Sequence, residues 1–136
     1  MSSISAIAVS GLNAAARRLQ VSASNVANSQ TTGALPNADG TVPAGAPTAY
    51  APLALVQTAT AGGGVQTSVT TVTPSTTAVF DPQAPFANQD GLVAAPNVDL
   101  AQEFVGQLLA SYSFAANAAV LRADDQNNKA LLDISV

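Results

Sequence analysis

The sequence predicts a mainly α protein in which an N-terminal and a C-terminal helix pack as a coiled-coil-like pair, with a small β-rich or irregular middle. At both ends of the 136-residue chain, small and apolar residues recur at 3–4 spacing, which is typical of helices that pack against other helices. All eight prolines lie from Pro36 to Pro96, where they exclude a long helix. We therefore divide the chain into three segments, residues 1–33, 34–96 and 97–136.

The first segment predicts a helix that ends near Asn28. Ser2 or Ser3 is suited to cap its start, and Asn25, Asn28 and Gly33 mark its fraying end. Its main seam consists of Ser5, Ala8, Leu12, Ala15, Leu19, Ser22 and Val26. A neighbouring stripe consists of Ile4, Ile7, Ala14 and Val21. A helix with two apolar stripes and only two charges has more than one face to bury.

The middle segment predicts short strands and loops. Residues 54–58 and 65–73 flank three consecutive glycines, and the Thr and Val content of the second run favours a strand, so we expect a hairpin here. Residues 29–49 show no periodic pattern and are predicted to be a loop or locally disordered.

The last segment predicts a long helix with a well-specified start. Asn97 is a good N-cap, and Asp99 and Glu103 place negative charge at the positive end of the helix dipole. Its main seam consists of Val98, Val105, Leu109, Tyr112, Ala116, Ala119, Ala123 and Ala130. A neighbouring stripe consists of Phe104, Leu108, Ala115, Ala118 and Leu121.

Composition excludes several classes of function. The chain has four basic residues against eight acidic ones, too few for the phosphate neutralisation that nucleic-acid binding requires. It has no Cys and no His, which removes thiolate chemistry and the commonest general base and metal ligand. No run of about 18 uninterrupted apolar residues is present, so we predict no transmembrane segment. Because the apolar residues are mostly small, we expect the fold to need support from neighbouring subunits.

The polar residues that remain show no pattern of a reactive site. Asp124 and Asp125 project about 100° apart on a helix, and Asp99 and Glu103 are expected of a helix first turn. The three consecutive glycines lack the lysine and following helix of a phosphate-binding loop. We therefore predict no catalytic residue, cofactor, metal or small-molecule substrate. Arg17 and Arg18 lie along the helix surface, pair with an acidic neighbour, or form an ion pair between subunits.

Residues 22–33 read Ser-Ala-Ser-Asn-Val-Ala-Asn-Ser-Gln-Thr-Thr-Gly, which resembles the signature of bacterial flagellar basal-body rod and hook proteins. Residues 96–99 and 111–117 are similar to the C-terminal helix of that family, and residues 80–85 and 90–93 most resemble its proximal-rod members. The resemblance carries these family positions onto this chain: Ser24, Asn25, Ala27, Asn28, Thr32, Gly33, Asn97, Asp99 and Asn117.

The resemblance implies a structural subunit and no enzyme. It implies export through the flagellar type III apparatus without a cleaved signal peptide, and assembly in the periplasm with itself and other rod proteins into a helical tube that transmits torque for motility. The N-terminus itself is not of the Sec type, because its first positive charges follow the apolar positions. We expect these residues to form the assembly interface: Ala8, Leu12, Ala15, Leu19, Val26, Val105, Leu109, Tyr112, Ala116 and Ala119.

Two alternatives come from other classes of function. One is a secreted adhesin-like or hook-type oligomeric binding module, in which the helices form a closed trimer and the Thr-rich middle binds a ligand. The other is a small periplasmic enzyme acting on peptidoglycan, with Glu103 as its acid.

Overall fold

Two terminal helices enclose four short strands in the computed structural model, which describes residues 3–37 and 39–134. In chain order, the elements are α1 (Ser3–Ala27), β1 (Leu53–Ala59), β2 (Val65–Thr71), β3 (Thr76–Phe80), β4 (Leu92–Pro96) and α2 (Leu100–Ile134). The strands form two separate two-stranded antiparallel sheets, β1–β2 and β3–β4. The predicted fold class, mainly α with a small β-containing middle, is confirmed.

The two helices pack side by side in opposite directions. Ser5 donates a hydrogen bond to the Asp124 carboxylate near one end of the pair, and Gln107 Nε2 donates to Ser22 Oγ at 3.1 Å towards the other. Between them, Gly11 lies directly against the Asn117 side chain. The buried residues of this seam are small or polar: Ala8, Ala15, Ser22, Ala110 and Asp124. The helix pair is therefore held by close approach and hydrogen bonds more than by large apolar side chains.

The β1–β2 hairpin is the predicted one and lies against α1. Its strands pair from Leu53 opposite Thr71 to Ala59 opposite Val65. At its tip, the backbone N–H of Val65 donates to Ser10 Oγ at 3.1 Å, while Gly63 lies against Ile7. The second predicted stripe of α1 thus packs against this hairpin.

The two strands of the β3–β4 hairpin were not predicted, and the hairpin carries the largest fully buried apolar side chain, Val93. Its strands pair from Thr76 opposite Pro96 to Phe80 opposite Leu92. The chain that leaves α1 returns to this sheet, because Gly33 and Ala94 exchange two backbone hydrogen bonds of 2.9 Å.

The predicted helix caps need correction. α2 begins at Leu100 because Asp99 is its N-cap: Asp99 Oδ1 accepts from the backbone N–H groups of Ala101 at 2.9 Å and Gln102 at 3.1 Å. Asn97 instead donates its side-chain amide to Pro74 O at 3.0 Å, which ties α2 to the loop before β3. At the start of α1, Ser3 lies within the helix, and Ser2 lies outside the described residues.

Candidate assembly surface

Asn25 is the centre of a junction that joins both helices to the first hairpin. Its side chain is 2% exposed and makes four hydrogen bonds. Asn25 Nδ2 donates to Leu53 O at 2.8 Å and to Glu103 Oε1 at 2.6 Å. Asn25 Oδ1 accepts from the Leu53 backbone N–H at 2.9 Å and from the Tyr50 hydroxyl at 3.0 Å. One amide therefore connects α1, the following loop, β1 and α2.

The neighbouring motif residues end α1 and direct the chain. Asn28 closes the helix by donating its backbone N–H and its side-chain amide to Ser24 O, at 3.1 and 2.9 Å. Ser24 Oγ lies 3.1 Å from the Tyr50 hydroxyl, next to the Asn25 junction. Ala27 is the last helical residue, and Thr32 donates its backbone N–H to Gln30 O in the turn that follows.

Gly33 lies where two stretches of backbone come too close for any side chain. A Cβ atom at this position would lie 2.6 Å from Pro47 O and would overlap the backbone of residues 48 and 49. The same residue forms the bridge to Ala94. Glycine is therefore required here by close approach of backbone, and its φ is not positive.

On α2, the family position Asn117 faces α1, where Gly11 makes room for it. Its side-chain amide also donates to Ser113 O at 2.8 Å. The motif residues Asn25, Gly33 and Asn117 thus hold this fold together within one chain. The resemblance gave their positions, whereas their partners across the fold are distant in the sequence.

The side of α2 that points away from α1 is apolar and open to solvent. Phe104 is 62% exposed and Tyr112 66% exposed, although both are large aromatic side chains. The eight exposed residues that share this side, here named the outward face, are Phe104, Val105, Leu108, Leu109, Tyr112, Ala115, Ala116 and Ala119. Between Glu103 and Arg122 the helix contains no charged residue.

The residues predicted as the assembly interface fall into two groups. On α1, Ala8 and Ala15 are buried in the helix pair, Leu12 and Val26 are half-buried, and Leu19 is 43% exposed. On α2 all five lie on the outward face: Val105, Leu109, Tyr112, Ala116 and Ala119. The α2 side of the intrachain seam is formed instead by residues that the 3–4 pattern missed: Glu103, Gln107, Ala110, Asn117 and Asp124. In the sequence of α2, these positions form a mostly polar stripe between the two apolar stripes, and this pattern could have indicated the side that packs against α1.

Several charged side chains have structural partners. Asp125 pairs with Lys129 at 2.7 Å, and both are exposed. Arg17 Nη1 donates to Gln20 Oε1 at 3.1 Å, and Arg18 Nη2 donates to Gln57 Oε1 at 3.0 Å. Within residues 3–37 and 39–134, no three acidic side chains cluster as a metal site.

Among the described residues, α2 alone is long and apolar enough to cross a membrane by length and composition. Its most apolar stretch of 18 residues has a mean hydropathy of 1.3, and 6% of that stretch is buried. Such a test does not distinguish lipid from another protein chain as the cover for an apolar face.

Comparison with known proteins identifies the family of this chain. The family description "Flagella basal body rod protein" matches residues 6–34, and the description "Flagellar basal body rod FlgEFG protein C-terminal" matches residues 89–134. These matches span both helices and the motif residues of the junction.

Curated relatives agree with the family matches. Flagellar basal-body rod protein FlgC from Yersinia enterocolitica is 37% identical over 119 residues, covering 85% of this chain and 83% of the relative. FlgC from Salmonella typhimurium is 35% identical over 115 residues, with the same coverage of both chains. The chain belongs to the family of flagellar basal-body rod proteins. Within that family it is similar to FlgC, and it is a structural subunit of the rod.

Proposed function

We propose that this chain polymerises into the rod through the outward face of α2, which packs against the helices of neighbouring subunits. Residues 1–33 and 97–136 then form the wall of a helical tube, and residues 34–96 project from it. The observation that carries this proposal is the unbroken apolar surface from Phe104 to Ala119.

The area of the outward face supports a protein partner. Its five large side chains are 52 to 66% exposed, which leaves roughly 500 Å² of their surface open if each side chain offers about 150–250 Å². A stable interface buries about 800 Å² per partner, and the largest apolar patch on a typical monomer is about 300–600 Å². The outward face thus supplies more than half of one standard interface.

The intrachain contacts explain why this face is left for neighbours. α1 covers only the polar side of α2, through the Ser22–Gln107 hydrogen bond and the Asn25–Glu103 hydrogen bond. The β1–β2 hairpin packs on α1, and within the described residues neither hairpin packs on α2, so neither covers the outward face. A subunit of this shape buries its largest apolar surface only when it assembles.

As a rod subunit, the chain acts in the periplasm, reaches it through the flagellar export apparatus without signal cleavage, and transmits torque in contact with copies of itself and other rod proteins. The similarity to FlgC and the absence of charge on the outward face support this proposal. The proposal includes no nucleic acid, cofactor or small-molecule substrate.

The test is an aspartate on the outward face. Leu109→Asp or Leu108→Asp would bury an unpaired charge in the interface, which costs several kcal/mol and is enough to block assembly. The measurement is swimming and the yield of rods in isolated basal bodies, in a strain that carries each variant in place of the natural chain.

Thr58→Asp is the matched control, because Thr58 is exposed in β1 and is not part of the outward face. We expect rods at normal yield from Thr58→Asp and no rods from the two α2 variants. Normal rods built from Leu109→Asp and Leu108→Asp would refute assembly through the outward face.

A further inference from the structure

Within the described part of the chain, no contact explains why position 106 is a glycine. Glycine in a helix interior is unfavourable relative to alanine, so it needs a compensating role. Gly11 in α1 has one, because a Cβ atom there would lie 2.6 Å from Asn117 Cγ. A Cβ atom at Gly106 would meet no atom within 4 Å, and its φ is not positive.

The missing side chain leaves a shallow notch on one flank of α2. The notch is lined by Ala101, Gln102, Val105, Gly106 and Leu109. Two of these residues, Val105 and Leu109, belong to the outward face and are more than half exposed. The notch therefore continues the surface through which we propose that subunits assemble.

The opposite flank of α2 carries aromatic side chains. Phe104 and Phe114 are 62% and 47% exposed, and at about 100° per residue Phe104 lies roughly 160° around the helix from Gly106. Phe114 lies about 80° from Gly106 on α2, but on the other side of the contact with α1, where it lines a groove with Ala15, Ala16 and Leu19. One chain thus presents an uncharged notch on one flank and uncharged aromatic knobs on the other.

We propose that the Gly106 notch receives an aromatic side chain, Phe104 or Phe114, from the opposite flank of α2 in a second copy of this chain. This inference rests on the proposed function, because it names the partner of the outward face. Each such contact would use one flank of each copy and would bury on the order of 500 Å² between the two, which is small for an isolated pair and requires repetition along an array. Neither flank carries a charge, so the two surfaces can meet without burying an unpaired charge.

The position of the two surfaces determines the kind of assembly. Because the notch and the knobs lie on different flanks, each copy uses one surface for one neighbour and the other surface for the next. Such a heterologous contact does not close into a dimer and extends into an open array. This is the geometry that a rod requires.

The first test fills the notch. Gly106→Leu adds a side chain where the monomer has open space, so circular dichroism of the purified chain should show unchanged or higher helix content. In cells we expect rod yield to fall at least tenfold, with a smaller loss for Gly106→Ala. Gly62→Leu is the control, because a Cβ atom at Gly62 also meets no atom within 4 Å.

The second test identifies the occupant. A photo-crosslinking benzoylphenylalanine replaces Gln102 at the rim of the notch, and cross-linked products from assembled rods are identified by mass spectrometry. A product that joins residue 102 to the Phe104–Phe114 region of a second copy supports the proposal. A product with a different rod protein, or with another region of this chain, overturns it.

The two proposals fail separately. If Leu108→Asp blocks assembly while Gly106→Leu builds normal rods, the outward face is used and the notch inference is wrong. If both variants build normal rods, assembly through the outward face is itself refuted.

Discussion

Replacing Asn25 with alanine should destabilise the chain by about 2–4 kcal/mol. The change removes four hydrogen bonds, and each would contribute about 0.5–1.5 kcal/mol net. Tyr50 retains Ser24 as a partner, and the half-buried Glu103 carboxylate can take up water. The main cost comes from the Leu53 N–H and C=O, which lose the partners that they have in Asn25.

The assay is urea unfolding of the purified chain, followed by far-ultraviolet circular dichroism. Asn13→Ala is the matched control, because Asn13 is an exposed residue in the same helix and undergoes the same substitution. We expect Asn13→Ala to stay within about 0.5 kcal/mol of the natural chain. If Asn25→Ala loses no more stability than Asn13→Ala, the hydrogen bonds of Asn25 do not hold the helices and the hairpin together.

Two further predictions concern the loop that follows α1. Gly33→Ala should cost about 1–3 kcal/mol or more, because its Cβ would overlap backbone near Pro47 O; thermal unfolding would measure this, and equal midpoints for Gly33→Ala and Gly62→Ala would contradict it. The Thr41 hydroxyl, followed by its backbone N–H, holds the pKa of Asp39 below its ordinary value of 3.8. Because the pKa of Asp39 is lower in the folded chain, the stabilisation from this interaction is fully present above the ordinary pKa of 3.8. It is lost as pH falls through the folded pKa. In Thr41→Val the pKa of Asp39 should rise towards 3.8 in a nuclear magnetic resonance titration of the carboxyl carbon, and an unchanged pKa would exclude the hydroxyl as the cause.

The sequence predicted those parts of the fold that depend on local pattern. The 3–4 spacing of α1 placed Ala8, Ala15 and Ser22 on the buried side of the helix pair. The glycines between two Thr- and Val-containing runs predicted the β1–β2 hairpin, because turn residues and β-propensity act within a few residues.

Periodicity did not show which side of α2 packs against α1. An apolar stripe at 3–4 spacing indicates a surface to bury, but it does not say whether the same chain or a neighbour buries it. In this chain the polar stripe through Gln107 and Asn117 faces α1. The small size of Gly11 and Ala15 on α1 makes that close, hydrogen-bonded contact possible.

Two local features were missed because long-range contacts determine them. β3 is short, and its pairing with β4 joins residues across an irregular loop, from Phe80 to Leu92. The N-cap fell at Asp99 because Asn97 has another partner, Pro74 O. The family motif pointed to Asn25, whereas Leu53 and Glu103 could not be assigned as its partners before the fold was known.

The central claim is that the outward face of α2 is an interface between rod subunits. The most direct measurement is cryo-electron microscopy of basal bodies isolated from the source cell, at a resolution that shows side chains. The proposal predicts paired terminal helices in the rod wall, with Phe104, Leu108 and Tyr112 covered by helices of adjacent subunits. A rod in which these side chains face solvent or lipid, or a chain that forms a closed trimer outside the basal body, would contradict it.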